Sequence, residues 1–222
     1  MNFSDFQEMI TLSRQDICRE VFDQNRKTIR IKKEKTVLKN LDKIFVAALK
    51  ISNKKGFHTM SMRDLSLETG LSLGALYAYF ASKDDLLEML QQQGRTITSK
   101  ILDKVIEEEA HPLSKLRSFV KIYLYLCEAM HAWFYFSYME ARYLNKAERE
   151  KALSSDLMVE EKLANLLAQG ERLAVFKPSN HQLAAGVINA MIQDWYLKRW
   201  KHTKMNISVD QYAEFILEFV EG

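Results

Sequence analysis

The sequence predicts an all-α protein, and three observations lead to that fold class. Leucine, alanine, lysine, glutamate and methionine, which favour helices, dominate the composition. Only two prolines and seven glycines interrupt the 222 residues. Apolar residues recur at steps of three and four in most segments, which is the spacing of helices with one buried face. The length is sufficient for one large domain or two small ones with a sizeable core.

The composition also narrows the class of protein. Apolar residues make up 47% and charged residues 27%, as in ordinary soluble globular proteins. The sequence contains no apolar run near the roughly 20 residues of a membrane span. Its start, MNFSDFQEMI, lacks the basic and apolar regions of a signal peptide. Cys18 and Cys127 are too far apart to indicate a disulfide framework or a zinc pair. We therefore expect a cytoplasmic protein.

Catalytic and metal-binding patterns are missing from the sequence. It contains neither a glycine-rich phosphate loop nor a G-x-S-x-G nucleophile elbow. The five histidines do not have the spacing of a metal site: His58, His111, His131, His181 and His202. We therefore predict that the chain is not an enzyme, and we assign it no catalytic residue, no cofactor and no metal.

The first 35 residues are an extension with two parts. Apolar residues between Phe3 and Phe22 predict one or two amphipathic helical turns. Positions 26–39, here called the basic segment, hold one acid, Glu34, and seven cations, which gives a local excess of six positive charges (7 − 1). The cations are Arg26, Lys27, Arg30, Lys32, Lys33, Lys35 and Lys39. The segment is compatible with an arm that lies along phosphates and equally with a solvated helix face.

Capping signals mark the helices that follow. The first of these helices is predicted by apolar residues at helical spacing: Leu38, Leu41, Phe45 and Leu49. Gly56 is expected to end it. Ser61, with Asp64 three residues later, resembles a capping box at the start of a second helix over residues 62–69. Gly70 then ends that helix in the left-handed conformation.

A third short helix completes the pattern. Ser72 is the expected cap of a helix from Leu73 to Phe80, and Ser82 caps the next one, with Asp84 and Asp85 in its favourable first turn. Two short helices joined by a tight glycine turn have the geometry of a helix-turn-helix, whose second helix enters the major groove of DNA. Small residues at its start let that helix approach the bases: Ser72, Gly74 and Ala75. Hydrogen-bond donors that can reach the phosphates follow: Tyr77, Tyr79 and Lys83.

The stretch KIFVAALKISNKKGFHTMSMRDLSLETGLSLGALYAYFASKDDLLEML, residues 43–90, carries a family resemblance. Its fixed features are Gly56-Phe57, Ser61-Met62-Arg63-Asp64-Leu65, the Gly-Leu-Ser turn, Leu76-Tyr77, Tyr79-Phe80, Ser82-Lys83 and Leu86-Leu87. The stretch resembles the DNA-binding domain of the TetR/AcrR family of transcriptional repressors. The resemblance implies a three-helix helix-turn-helix domain at about residues 36–90. A larger all-α effector-binding and dimerisation domain would then occupy residues 91–222, after the extension at 1–35.

The resemblance also implies particular DNA contacts. Phosphate contacts are expected from Ser61, Arg63, Tyr77 and Lys83. The groove would be lined by Ser72, Leu73, Gly74 and Ala75, with Tyr79 beside them. The core of the small domain would contain Leu65, Leu76 and Phe80. For Tyr77 the alternative is a core aromatic whose hydroxyl reaches the surface. Leu73 and Ala75 are apolar where many readers carry polar side chains, so thymine methyl groups and DNA shape would carry more of the specificity.

As a function, the resemblance implies a ligand-responsive repressor that a small apolar or acyl-type effector releases from a palindromic operator. The alternative is a DNA-binding regulator or activator without a small-molecule effector. The extension is longer than the short arm usual in this family. It would pack on the larger domain, extend the DNA contact or be mobile.

The C-terminal half is predicted to be helical throughout, with Pro112 at a helix start and an amphipathic helix over 157–173. The aromatic run WFYFSYMEARYL fits a lined cavity as well as a filled core. The candidate ligand-binding residues are Cys127, Met130, Phe134, Tyr138, Arg142 and Trp195. Because Arg142 lies among these aromatic residues, we expect an effector with an anionic group, such as a fatty acid or an acyl-CoA.

The last two helices are predicted over His181–Trp200 and Val209–Val220. Each has a broad apolar stripe at helical spacing: Leu183, Val187, Ile188, Met191, Ile192 and Trp195 in the first, and Tyr212, Phe215, Ile216 and Phe219 in the second. Such stripes are wide enough to bury one side internally and leave another for a second chain. The sequence therefore predicts a two-fold homodimer through these helices, with double-stranded DNA as its partner.

Overall fold

A computed structural model describes residues 1–26, 29–31, 33–141, 146–177 and 180–221. The all-α prediction is confirmed, because the regular structure within these ranges is helical. The helices are α1 (Phe3–Gln24), α2 (Glu34–Lys55), α3 (Met62–Thr69), α4 (Leu73–Leu76), α5 (Lys83–Glu108), α6 (Pro112–Ala129), α7 (His131–Glu140), α8 (Lys146–Arg172), α9 (His181–Leu197), α10 (Arg199–Lys204) and α11 (Val209–Glu221). None of these described helices is long and apolar enough to cross a membrane.

Two hydrophobic cores organise the helices. The small core joins α2, α3 and α4 to the start of α5, around the fully buried Leu41, Ile44 and Leu65. The large core joins the rest of α5 to α6, α8, α9 and α11. Below, the small domain and the large domain denote the helices that pack around the small core and the large core. Because α5 runs from one core into the other, and α1 contributes to both, the predicted domain boundaries at residues 35 and 90 stay predictions.

Helix α1 is longer than the one or two turns that the sequence predicted. It spans 22 residues and begins with a capping box between Asn2 and Asp5. Its ends enter different cores: Phe6 belongs to the large core, and Val21 and Phe22 belong to the small core. Tertiary packing at both ends stabilises the full helix, whereas the weak spacing of its apolar residues predicted only one or two turns.

The predicted capping sites of the small domain are confirmed. Ser61 and Ser82 form capping boxes, and Ser72 caps α4. Gly56 and Gly70 end α2 and α3 with φ of 84° and 64°. Pro112, at the start of α6, is likewise confirmed.

Helix α4 ends earlier than predicted. The sequence predicted a helix as far as Phe80, but the α-helix stops at Leu76 and a turn occupies residues 77–79. The turn carries the side chains of Tyr79 and Phe80 into the small core, where both are fully buried. A straight helix would not place two such adjacent side chains on the same face.

Two predicted helices of the large domain also differ. Helix α8 begins at Lys146, well before the predicted start at Leu157. The segment predicted as one helix to Trp200 is two helices, because the backbone at Lys198 leaves the helical region between α9 and α10. The break lets His202 turn back onto the ring of Trp195, at 4.9 Å between centroids.

Candidate nucleic-acid interface

Helix α4, here called the reading helix, is held by a turn with three local hydrogen bonds. Ser72 Oγ accepts the Ala75 N–H at 3.2 Å, and Ser66 Oγ donates to the Leu71 carbonyl at 2.6 Å. The buried Thr69 hydroxyl donates to the Leu65 carbonyl at 2.6 Å. These bonds order the end of α3, the turn and the start of the reading helix.

The predicted groove-lining residues lie on an open surface. Ser72 and Gly74 are exposed, Leu73 is 37% exposed, and Ala75 is half-buried. A Cβ atom built on Gly74 would have no neighbour within 4 Å. Tyr77, at 43% exposed, follows in the turn directly after the reading helix. The start of the reading helix is therefore small and accessible, as a helix that enters a groove requires.

The phosphate contacts expected at the start of α3 are also at the surface. Ser61 and Arg63 are exposed. Ser61 Oγ donates to Asp64 Oδ2 at 2.7 Å, and Lys55 Nζ lies 2.8 Å from the same oxygen. Hydrogen bonds from Lys55 and Ser61 hold the pKa of Asp64 well below its usual value. The ionised carboxylate thus fixes the first turn of α3 and the position of Ser61.

Lys83 is tied within the protein. Its ammonium donates to the His58 carbonyl at 2.7 Å and lies 5.0 Å from the centroid of the Phe57 ring. Partial burial lowers the pKa of Lys83. These contacts aim the ammonium from the start of α5 towards the loop that precedes α3, so a phosphate contact remains a prediction for it.

Tyr79 corrects one prediction. The resemblance placed it beside the groove-lining residues, but its side chain is fully buried. Its hydroxyl accepts a hydrogen bond from Asn40 Nδ2 at 2.7 Å, and burial raises its pKa. Tyr79 is therefore a core residue that joins α2 to the turn after the reading helix. The three predicted core residues are confirmed as fully buried: Leu65, Leu76 and Phe80.

The basic segment runs past the end of the reading helix. The Arg30 N–H donates to the Ala78 carbonyl at 2.8 Å, and Ile29 is buried in the small core. The segment's described cations are exposed: Arg26, Arg30, Lys33, Lys35 and Lys39. Lys27 and Lys32 lie outside the described residues. The anchoring of Ile29 was not anticipated, because a lone isoleucine among cations gives no periodic signal.

The candidate ligand-binding residues have different surroundings. Phe134 belongs to an aromatic band, in which its ring centroid lies 5.9 Å from Tyr123, 5.4 Å from Tyr196 and 5.0 Å from Trp133. Cys127 is fully buried, which raises the pKa of its thiol well above the usual value. Met130 is half-buried, beside the large core.

Trp195 and Tyr138 differ in exposure. Trp195 is fully buried; it packs against the rings of His202 and Tyr212, and its indole N–H donates to Glu128 Oε2 at 3.0 Å. Tyr138 is 49% exposed at the surface. Arg142 lies outside the described residues. A single lined cavity containing all six side chains therefore stays a prediction.

Helix α7 connects the aromatic band to the small domain, which the sequence did not reveal. Trp133 Nε1 donates to the Leu90 carbonyl at 2.9 Å, and the ring covers Gly94, where a Cβ atom would lie only 1.9 Å from it. At the other end of α7, buried Glu140 accepts the Phe57 N–H at 3.0 Å. The lone glycine inside α5 was the available signal for this close approach.

Comparison with known proteins agrees with this geometry. The family described as "Bacterial regulatory proteins, tetR family" matches residues 44–90. The HTH-type transcriptional regulator HbdR of Aromatoleum sp. (strain CIB) is 24% identical over 185 residues, which cover 81% of this chain and 78% of HbdR.

Two solved structures share the fold. The TetR family transcriptional regulator PfmR from Thermus thermophilus matches with a TM-score of 0.72 at 24% identity, covering 80% of this chain and 96% of PfmR. AibR, solved in complex with isovaleryl coenzyme A and operator DNA, matches with a TM-score of 0.71 at 16% identity, covering 81% and 96%. The match at residues 44–90 confirms the predicted resemblance of this helix-turn-helix to the DNA-binding domain of the TetR family, and the fold is that of solved TetR family regulators.

Proposed function

We propose that this protein is a ligand-responsive repressor that binds a palindromic operator as a two-fold dimer and is released by a small apolar or acyl-type effector. The observation that carries the proposal is the open start of the reading helix. Ser72, Leu73 and Gly74 are exposed there on a turn that local hydrogen bonds already fix. A preformed, small-residue surface lets a helix enter the major groove without an ordering cost.

The DNA contacts divide into two groups. Leu73 and Ala75 would meet thymine methyl groups, and the exposed phenol of Tyr77 would donate to a phosphate. Ser61, Arg63 and Lys83 would contact phosphates on the other side of the groove. The basic segment, whose backbone is bonded to Ala78, extends the same face. Its exposed cations would add affinity that falls with salt and does not depend on sequence.

The dimer proposal rests on an exposed apolar face. On α9, Leu183 is 66% and Val187 is 48% exposed; on α11, Phe215 is 62% and Phe219 is 66% exposed. The inward side of the same helices is buried: Ile188, Ile192, Trp195 and Ile216. The two helices thus fill their own core and still present an apolar face, which a second copy would cover in an isologous contact.

A cleft on this face supports the same proposal. It has a volume of about 680 Å³, and its walls include Leu183, Val187, Met191 and Phe219. A large aromatic side chain of a second copy would fit such a cleft, as anchors do at the centre of stable interfaces. Two reading helices related by the two-fold axis would then meet successive major grooves, which gives the operator its palindromic form.

For the effector, we propose a site beside the aromatic band. AibR carries isovaleryl coenzyme A, and a related acyl thioester would suit the apolar walls formed by Phe134 and its neighbours. Arg142 would meet the anionic part. A ligand there would act through α7, because Trp133 contacts α5 and Glu140 holds the Phe57 N–H. Only a ligand with different affinities for two arrangements of α7 can release DNA.

The second candidate function is a DNA-binding regulator or activator without a small-molecule effector. One observation favours it: Cys127 and Trp195 are fully buried by protein atoms, as core residues are. Under this alternative the aromatic band is packing and nothing more.

Two experiments test these proposals. Genomic fragments selected by the full-length protein should share an imperfect palindrome, and an asymmetric shared site would contradict the dimer. Isovaleryl-CoA and longer acyl-CoAs should raise the melting temperature saturably and weaken binding to that palindrome. If no acyl-CoA does either, while DNA binding persists, the acyl-CoA proposal is wrong.

A further inference from the structure

Helix α1 is anchored at one end in the large domain. Phe6 is fully buried in the large core, and the rings of Phe3 and Phe6 lie 5.6 and 5.7 Å from the ring of Tyr125. The Phe3 N–H donates to Asp210 Oδ1 at 3.1 Å, and the Tyr125 hydroxyl donates to the same oxygen. Asp210 is in the first turn of α11, so the start of α1 is bonded to a helix of the proposed dimer face.

The other end of α1 is anchored in the small domain. Val21 and Phe22 are buried in the small core, and Ile29 follows them there. The Arg30 N–H then bonds the Ala78 carbonyl, in the turn that directly follows the reading helix. Between the two anchors, Nζ of Lys100 on α5 lies 2.6 Å from Oε2 of Glu20 on α1.

We propose that α1, together with the anchors at Ile29 and Arg30, here called the strap, positions the reading helix relative to the dimer face. A helix of 22 residues is about 33 Å long and behaves as a rigid strut over that length. It therefore fixes the distance between Phe3, which is bonded to Asp210, and Phe22 in the small core. This inference rests on the proposed function, because the distance matters to DNA only if two reading helices bind together.

The strap would act on operator spacing. In a two-fold dimer, each reading helix must meet its own half-site, and half-sites lie at a defined separation along the duplex. If the small domain moved freely on α5, the two reading helices could adapt to several half-site separations. The entropic cost of ordering both reading helices on the DNA would then be higher. A strap that removes this freedom raises affinity for one spacing and lowers it for others. A single half-site would not respond to it.

The test releases the large-domain anchor and leaves the small domain intact. Phe6→Ala is the main variant. Phe3→Ala is milder, because Phe3 is only half-buried. The probes are the palindromic duplex selected by the wild-type protein, two duplexes with one base pair added or removed between half-sites, and one half-site alone. Leu163→Ala on α8 is the matched control, since Leu163 is equally buried in the large core and α8 packs mainly on α9 and α6.

We expect the wild-type protein and Leu163→Ala to prefer the selected spacing by about tenfold or more. Phe6→Ala should bind that duplex roughly tenfold more weakly and lose most of the preference, with half-site affinity changed by less than about twofold. Phe3→Ala should lie between them. If both strap variants keep the wild-type preference, the strap proposal is wrong although the dimer proposal stands. A wild-type protein that selects no palindrome refutes the proposed function and the strap with it.

Discussion

The small and large domains place their candidate functional side chains in different ways. In the small domain, local signals position them: Ser61 and Ser72 cap their helices, and Gly70 provides the turn between them. In the large domain, contacts between distant parts of the chain position them. Phe134 meets Tyr196, and Trp133 meets the backbone of α5.

This difference has an energetic counterpart. Apart from Tyr79, the candidate contact residues of the small domain are exposed or half-buried at the surface, so their substitution should change binding and leave the fold intact. The aromatic band and Trp195 are buried, so their substitution should change stability first. The same chemical change should therefore have opposite consequences in the two domains.

The largest effect is expected at the apolar face of the large domain, because its candidate contact residues are exposed rather than buried. Val187→Glu with Phe215→Glu places two like charges where a second chain would pack. Because burying unpaired charges is costly, we expect monomers at micromolar concentration and a loss of operator affinity of at least about 100-fold. Light scattering and DNA titration measure both.

A control for this prediction changes the charge equally on polar positions. Gln182→Glu with Lys204→Gln also shifts the net charge by minus two, at two exposed sites on α9 and α10. It should leave the dimer intact. If the protein with Val187→Glu and Phe215→Glu is still a dimer, the apolar face of α9 and α11 is not the interface.

Two glycines give a sharper contrast between the domains. Gly94→Ala would drive a methyl group into the Trp133 ring, where a Cβ atom lies 1.9 Å away, and we expect a destabilisation of roughly 1–3 kcal/mol. Gly74→Ala has open space and should leave stability unchanged or raise it slightly. Urea unfolding measures both.

For DNA binding, the order of the two effects should be reversed. Gly74→Ala should weaken operator binding, because the added methyl lies on the surface that approaches the bases. Gly94→Ala should bind normally at temperatures where it is folded. A Gly74→Ala protein with full DNA affinity would contradict the assignment of the reading surface.

The pair Tyr77 and Tyr79 shows how far the sequence could predict the site. It located the caps, the glycine turn and the start of the reading helix, because those depend on neighbouring residues. It could not tell which tyrosine faces inward, because that depends on where α4 ends and on Asn40, 39 residues earlier. The family resemblance therefore placed both tyrosines at the DNA-facing surface, with a core position left open for Tyr77.

The same limit applies at longer range. The sequence identified Trp195 as aromatic and on an apolar stripe, but its partner Glu128 lies 67 residues away, on α6. The full length of α1 also escaped prediction, since its two ends are stabilised by different domains. Helix content was predictable from local preference, whereas these contacts arise only when the helices assemble.

A smaller effect is expected at Lys83. Lys83→Ala should weaken binding to every DNA sequence alike and reduce the slope of log affinity against log salt by about one unit. Lys104→Ala, an exposed site on α5 in the large domain, is the control and should leave the slope unchanged. An unchanged slope for Lys83→Ala would mean that its ammonium stays on the His58 carbonyl in the complex.

Removal of a single hydroxyl from either tyrosine should affect DNA binding in one case and stability in the other. Tyr77→Phe should weaken DNA binding by a few-fold at constant stability, because it removes one neutral donor to a phosphate. Tyr79→Phe should keep its DNA affinity and lose about 1 kcal/mol, because it leaves Asn40 without its acceptor. Equal effects of the two variants on DNA would contradict the burial of Tyr79.

The smallest expected effect concerns pH and the large domain alone. His202 is 3% exposed, between Trp195, Tyr212 and Asp194, and burial lowers its pKa although Asp194 opposes the shift and Lys201 adds to it. The unfolded chain therefore binds a proton at this site more readily than the folded one. Stability from this group is complete above the ordinary histidine pKa of about 6.5 and is lost as pH falls below it. We expect the melting temperature to fall between pH 7.5 and pH 5.5, and to fall less in His202→Phe, which keeps the ring packing. An equal fall in both proteins would show that the burial of His202 does not contribute to the pH dependence.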